Sequence, residues 1–236
     1  MDLSAVIPTL NEEAWLPAAV ASVREGAQGG GATEIVVADC GSADGTVEVA
    51  RRLACRLVVD PGLDSRGAAA DAGAGAAHGD VLLFLDADCR LPDGWDLAVA
   101  AALTDPQVVG GGFELRLDGP ERRLRLVEAV NRRRYRRSRL FYGDQALFVR
   151  AEAFRAVGGF RGARILESAK LCRRLKRRGR LTLLPLPVAA SPRRFLAGGI
   201  LRVFAADVLL WLAGLLRLPI DRLAGALYWR PNRRRP

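Results

Sequence analysis

Histidine is nearly missing from this sequence. His78 is the only one, and the four cysteines are scattered without a CxxC pair. A histidine-rich metal centre and a Cys/His zinc module are therefore excluded, since both need several such ligands at close spacing. Cys40, Cys55, Cys89 and Cys172 do not make the dense pattern of a secreted, disulfide-stapled domain, and a chain of 236 residues needs no staples. Lysine is almost as scarce: only Lys170 and Lys176 stand among 36 basic residues, so arginine carries the net charge of +10. A GC-rich genome produces that bias as readily as selection does, yet the planar guanidinium fork suits phosphate and acidic lipid. Aromatic residues make up only 6% of the chain. They interleave the basic run Arg132 to Arg139 only as Tyr135, which is no stacking platform for single-stranded nucleic acid, so a nucleic-acid partner ranks last. Long apolar runs are absent as well. The most apolar C-terminal run, Val208 to Leu216, lies between Asp207 and Arg217 and is too short to span a bilayer. The start, MDLSAVIP, has no basic region ahead of an apolar core, so the sequence predicts no signal peptide and a cytoplasmic protein.

What is present is enough for a sizeable core: half the residues are apolar and about a quarter charged. The first hundred residues alternate regularly. Strands are predicted at Leu3–Ile7, Glu34–Ala38, Arg56–Val59 and Asp80–Leu85. Helices are predicted at Glu12–Arg24, Thr46–Leu53 with Asp44 as N-cap, Arg66–His78 closed by the His78 side chain, and Asp93–Leu103. Near-continuous apolar runs such as DVLLFL fit strands covered on both faces, as in a parallel α/β sheet. The second half is less regular. It offers strands at Val108–Leu117 and Ala146–Arg150, a very basic helix at Arg122–Arg139, a helix at Glu167–Arg178 and an extended stretch at Leu181–Leu186. From Pro192 onward the pattern is two apolar helices separated near Pro219, then an arginine tail. The arginines of the 122–139 and 167–178 helices read as solvated faces. Cys40 and Cys89 each follow an aspartate and read as two buried thiols rather than a redox pair.

Ligands of an open α/β sheet bind outside the carboxyl ends of its strands. Pro8-Thr9-Leu10-Asn11-Glu12, Asp39-Cys40-Gly41-Ser42 and Asp86-Ala87-Asp88 all follow predicted strands, so three strands deliver polar groups to one edge. In an extended segment side chains two apart point the same way, which would let Asp86 and Asp88 approach one hard divalent cation.

VIPTLNEE, VVADCGSADGT and GDVLLFLDAD, in that order, resemble the signatures of family 2 glycosyltransferases with the GT-A fold. GDQALFVR, VGGF, ILESAKLCRRLKRRGR and SPRRF resemble a compact bacterial subgroup often labelled arsenosugar-biosynthesis type. The resemblance spans residues 3 to about 195. It implies a Rossmann-like, mainly parallel sheet flanked by helices over residues 1–191, with a C-terminal helical extension over 192–236. It further implies sugar transfer from a UDP- or GDP-linked donor to a hydroxyl acceptor, with Mn2+ or Mg2+. Pro8, Thr9 and Glu12 would line the nucleotide pocket, Asp39 would bond the base, and Arg66 would lie near the nucleotide. Asp86 would face the ribose and share the metal with Asp88. Asp144 and Gln145 would sit near sugar and acceptor, while Arg193 and Arg194 would add charge beside the diphosphate.

The pattern departs from the family at two places. Inverting members usually carry Glu-Asp where this sequence has Glu167-Ser168, and a serine does not readily take a proton near neutral pH. Either Glu167 supplies the base, or Asp144 does, or the acceptor is unusual, or activity has been lost and a nucleotide-sugar-binding relative remains. Asp71 stands where the family often has asparagine. A nucleotidyltransferase of related fold also uses paired acids, but the glycine-rich, lysine-containing loop it needs after the first strand is missing. Finally, Phe195 to Trp229 combines an apolar face with basic flanks, which predicts a peripheral contact with the inner membrane face, or else packing on the catalytic domain or on a second subunit.

Overall fold

The computed structural model describes residues 1–163 and 165–215. Their centre is an eight-stranded sheet in the order β3-β2-β1-β4-β7-β6-β8-β5. One half is parallel, built from β1 (Leu3–Thr9), β2 (Thr33–Asp39), β3 (Arg56–Val59) and β4 (Val81–Phe84). Every residue of β1 and β4 is buried, as continuous apolar runs require when helices cover both faces. The connecting helices are α1 (Leu16–Glu25), α2 (Thr46–Arg52) and α3 (Arg66–Ala76). Helix α1 starts four residues later than the spacing suggested, because Pro17 takes the first turn, where its missing N–H costs nothing. Helix α3 is capped by Ser65, whose Oγ accepts from Ala68 N at 3.2 Å. Its small residues let it lie close on the sheet: a Cβ on Gly73 would meet Val6 Cγ1 at 2.5 Å.

The other half is mixed. Strand β7 (Leu147–Arg150) runs antiparallel to β4 and to β6 (Val108–Leu117), and β8 (Arg180–Ala190) runs parallel to β6. Strand β8 is longer than the expected Leu181–Leu186. It tolerates Pro185 and Pro187 by a register shift opposite Phe113 and Glu114, where ladder hydrogen bonds are skipped. A two-residue strand, β5 (Cys89–Arg90), pairs with the end of β8 and was not visible in the sequence. Helix α4 (Trp95–Ala102) follows it, then α5 (Arg122–Ser138), α6 (Ala151–Ala156) and α7 (Glu167–Leu175). Helices α8 (Arg193–Gly198) and α9 (Ile200–Leu215) close the described chain. They are split at Gly199, whose φ of +81° suits glycine; the break expected near Pro219 lies outside the described residues. Phe195 is buried in the main core, and Ile200, Val203 and Phe204 pack against it, so the start of the extension is docked.

Several local expectations need correction. His78 does not close α3; its N–H and Nδ1 both meet Glu34, at 2.9 and 3.1 Å. Gly45, not Asp44, occupies the N-cap position of α2, although Asp44 Oδ1 accepts from Thr46 N at 3.0 Å. The basic helix α5 is no simple solvated face. Buried Glu114 of β6 accepts from Arg132 Nε at 2.9 Å, Tyr135 Oη at 2.8 Å and Arg136 Nη2 at 2.7 Å, clamping α5 to the sheet. Burial pushes the Glu114 carboxyl up, but the hydrogen bonds and charges of Arg136, Tyr135 and Arg132 outweigh it and leave the net value below the ordinary one.

A carboxylate depressed in the fold contributes stability that is complete above its unfolded pKa and is lost as pH falls through its folded value. Glu114→Gln should therefore lower stability by about 1–2 kcal/mol at neutral pH, because charge-assisted bonds become neutral ones. Urea unfolding midpoints check this, and the gap between native protein and variant should close as pH is taken below the ordinary carboxylate range.

Candidate active site

The site lies at the carboxyl edge of β1, β2 and β4. The segments after β1 and β2 are laced together: Asn11 N donates to Ser42 Oγ at 2.8 Å, Ala43 N to Asn11 Oδ1 at 2.8 Å, and Glu12 N to Thr46 Oγ1 at 2.8 Å. At their centre Asp39 is fully buried. It accepts from Thr9 Oγ1 (2.9 Å), Ser42 Oγ (2.5 Å), Gly41 N (2.9 Å) and Ser42 N (2.8 Å). A carboxylate has about four acceptor positions, so a base would have to displace one of these donors to bond Asp39. Thr9 is buried with it and Pro8 is buried within β1; these residues form the floor of the edge.

Asp86 and Asp88 follow β4, and they meet through a turn rather than through strand alternation. Cys89 N donates to Asp86 O at 3.0 Å, closing that turn. Oxygens of both carboxylates and Cys89 Sγ lie within 4.8 Å of one another. Burial and the two aspartates push the Cys89 thiol well up, so it stays protonated and is a poor partner for a hard cation. The carboxylates are the fitting donors. Burial and the charge of Asp86 push Asp88 up to about 6, with Arg193 pulling the other way, so the pair carries repulsion that a divalent cation would relieve.

Two arginines balance these acids. Arg66, the first residue of α3, donates Nε to Asp86 Oδ1 and Nη1 to Glu167 Oε1 at 3.0 Å, with Ser168 Oγ at 3.4 Å. Burial works against its charge, but Asp86 and Glu167 more than compensate and its pKa is raised. Gly143 lies close beside it: a Cβ there would come within 2.6 Å of Asp86 Oδ2 and 2.7 Å of Arg66 Cζ, so a larger residue would push on the ends of this ion pair. Arg193, the first residue of α8, donates Nε to Asp88 Oδ2 at 2.8 Å and Nη2 to Glu12 Oε1 at 2.6 Å. Its guanidinium carbon lies 5.3 Å from the centre of the Trp15 ring.

Asp144 sits in a 3-10 turn, Gly143–Gln145, beside this group. Burial and Asp86 push it up to about 6, with Arg134 and Arg194 pulling it down. Gln145, expected near the sugar, is fully buried and bonds Phe113 O through Nε2 at 3.1 Å, so it holds the turn. Arg194, expected beside the diphosphate, grips Asp207 with both Nη atoms at 2.9 and 2.6 Å. Asp71 accepts from Phe160 N through Oδ1 at 2.7 Å and from Gly162 N through Oδ2 at 3.3 Å, so both carboxylate oxygens are used, where an asparagine would offer only one acceptor atom. Arg134, stacked 4.0 Å over the Tyr142 ring, and Trp15 beside Arg193 had no sequence signal, because each is paired by the fold.

A parallel half-sheet with paired acids at its carboxyl edge, continued by an antiparallel strand, defines a GT-A type fold. Solved structures agree. The mannosyltransferase PcManGT from Pyrobaculum calidifontis, solved with GDP-Man and Mn2+, superposes with a TM-score of 0.70 at 22% identity, over 95% of this chain and 69% of that one. Glucosyl-3-phosphoglycerate synthase from Mycobacterium tuberculosis, solved with Mn2+ and UDP-glucose, gives 0.62 at 21% identity, over 92% of this chain and 79% of that one. Residues 1–349 of S. aureus TarS give 0.61 at 17% identity, over 89% of this chain and 66% of that one. Comparison with curated proteins finds no match. The family model described as glycosyl transferase family 2 matches residues 4–164. The chain belongs to that family and is a glycosyltransferase that takes its sugar from a nucleotide sugar.

Proposed function

We propose that the protein moves a sugar from a UDP- or GDP-linked donor to a hydroxyl acceptor by direct displacement with inversion, dependent on a divalent cation. The paired carboxylates of Asp86 and Asp88, which repel one another in a partly buried turn, carry this reading. Asp88, with Asp86 beside it, would hold Mn2+ or Mg2+. Bound there, the cation would offset the charge of the diphosphate and of the nucleoside diphosphate as it leaves. The laced segments around Asp39 and Glu12 form the nucleotide wall, and Arg66 fixes the orientation of Asp86. The structural relatives, solved with GDP-Man in one case and UDP-glucose in another, support a nucleoside diphosphate without choosing the base. The later motifs support a place in the compact bacterial subgroup named above, with residues 1–191 as the catalytic domain.

The attacking hydroxyl needs a base. Ser168 is buried and turned to Arg66, and Glu167 is engaged by the same guanidinium, so taking a proton would break that pair. Asp144, lifted close to neutrality, is the better proton acceptor, which moves the leading assignment from Glu167 to Asp144.

The exposed stripe Leu201, Ala205, Leu209 and Leu212 of α9, with Arg202 beside it and Leu196 on α8, supports a peripheral membrane contact. Val203 and Phe204 pack on the core and do not join that stripe. Among the described residues no helix is long and apolar enough to cross a membrane, and the expected continuation to Trp229 lies outside them.

Three outcomes are expected. Asp88→Ala should abolish the manganese-dependent part of the thermal shift given by GDP or UDP while the protein stays folded; an unchanged shift removes the metal site. Asp144→Asn should lower turnover roughly a hundredfold or more with donor binding retained, and Glu167→Gln should do less. The reverse order returns the base to Glu167. The protein should float with anionic liposomes at low salt, less so after Leu209→Ser and Leu212→Ser together, and absence from the lipid fraction assigns the stripe to another contact.

A further inference from the structure

Arg193 and Glu12 are 181 residues apart in sequence, yet one guanidinium joins Glu12 to Asp88. The backbone around it is tied down. Ser191 N donates to Asp88 O at 3.0 Å, Arg193 N to Ser191 Oγ at 3.3 Å, and Phe195 is buried in the core two residues on. The Arg193 side chain is nevertheless 40% exposed, so it can turn outward without moving the helix that carries it. The charge count around it is short of cations. Arg66 is shared by Asp86 and Glu167, Asp88 and Glu12 share the single charge of Arg193, and Glu12 Oε2 is buried without a hydrogen-bond partner.

We infer that Arg193 is an internal counter-cation that exchanges with the metal: it holds Asp88 Oδ2 until a divalent cation and a nucleoside diphosphate arrive together, then swings to the diphosphate. The inference rests on the reading that Asp88 binds the metal. A divalent cation approaching Asp88 must compete with a guanidinium already bonded to the same oxygen, and the two positive charges repel at that distance. The negative diphosphate removes the conflict, because it accepts both the cation and the released guanidinium. Metal alone therefore binds weakly, metal with nucleotide binds well, and by linkage the nucleotide is helped by the metal to the same degree. Arg193 acts here as a positioning residue that couples the loading of metal and donor.

Manganese binding, read from the loss of the free-ion electron paramagnetic resonance signal, tests this without turnover. In the native protein GDP or UDP should tighten manganese binding by roughly tenfold or more, within the usual range of coupling between sites. In Arg193→Met, which keeps the stem and removes the charge, manganese alone should bind several-fold tighter than to the native protein. GDP and UDP should bind that variant more weakly, and their coupling to manganese should shrink. Opposite signs for metal and nucleotide are the signature, since simple damage to the site would weaken both. Manganese binding to Arg193→Met that is unchanged or weaker overturns the exchange. If that variant does not fold, Arg193→Lys gives the same comparison: a single ammonium is a poor bridge between both carboxylates, so metal alone should again bind tighter, and no change overturns the idea. Asp88→Ala separates the two layers of argument. Loss of manganese binding in Asp88→Ala with no change in Arg193→Met sinks only the exchange, whereas manganese binding that survives Asp88→Ala sinks the metal site itself.

Discussion

Everything at the carboxyl edge depends on a charge balance between acids that the sheet forces together and two arginines that come from distant parts of the chain. Asp86 and Asp88 lie on one turn, with Glu12 and Asp144 from other segments beside them. Carboxylates at such distances, partly shielded from water, disfavour one another's ionisation, and burial alone adds to the penalty. Arg66 answers Asp86 and Glu167, and Arg193 answers Asp88 and Glu12. Perturbed acids gathered in this way, where hydrophobic packing would be more stable, mark a functional edge. Asp39 is the contrast. With its acceptor positions filled by Thr9, Gly41 and Ser42, it is a fixed point that holds the segments after β1 and β2 together.

Sheet topology decides which groups can join that balance. Because β7 runs antiparallel to β4, with Leu147 opposite Phe84, the segment before β7 arrives at the edge where β4 ends. Gly143 and Asp144 therefore lie beside Asp86, and a side chain at position 143 would displace the ends of the Arg66–Asp86 pair. Strand β8 makes the second connection. Its last residues pair with Cys89 and Arg90, so the chain leaves the sheet beside Asp88 and places Arg193 one step further on. The prolines and register shift inside β8 let one long strand serve both β6 and the short β5.

The parallel half of this arrangement was legible in the sequence because its signals are local. Apolar runs and acids just after strands each sit within a few residues, and the positions of Asp86 and Asp88 alone mark them out, whereas the capping role of Ser65 carried no comparable signal. The convergence of the two aspartates comes from the turn after β4 and not from strand alternation, which position alone does not reveal. The mixed half was less legible because its determinants are long-range. Nothing near Glu114 announces that Arg132 and Arg136 will fold back on it, and nothing near Arg193 announces Glu12. Gln145 and Arg194 show the complementary case. A residue that matches a motif can also carry a structural bond, here to Phe113 O and to Asp207.

The serine at position 168 becomes intelligible on the same electrostatic terms. It is almost fully buried, and its hydroxyl lies 3.4 Å from Arg66 Nη1, an atom already engaged by Glu167. An aspartate there would bring a third carboxylate to a guanidinium that already answers Asp86 and Glu167, in a place with little water to spread the charge. Its ionisation would be disfavoured unless Arg66 released one of its present partners, and releasing Asp86 would loosen the paired acids. Serine offers a neutral hydroxyl at the same point and leaves Arg66 committed to holding Asp86 in place. On the proposed mechanism the proton-accepting role would then fall to a carboxyl outside this pairing, and Asp144, raised by burial and by Asp86 but restrained by Arg134 and Arg194, meets that condition. The departure at position 168 is thus consistent with a base that has moved across the site, from the start of α7 to the turn before β7.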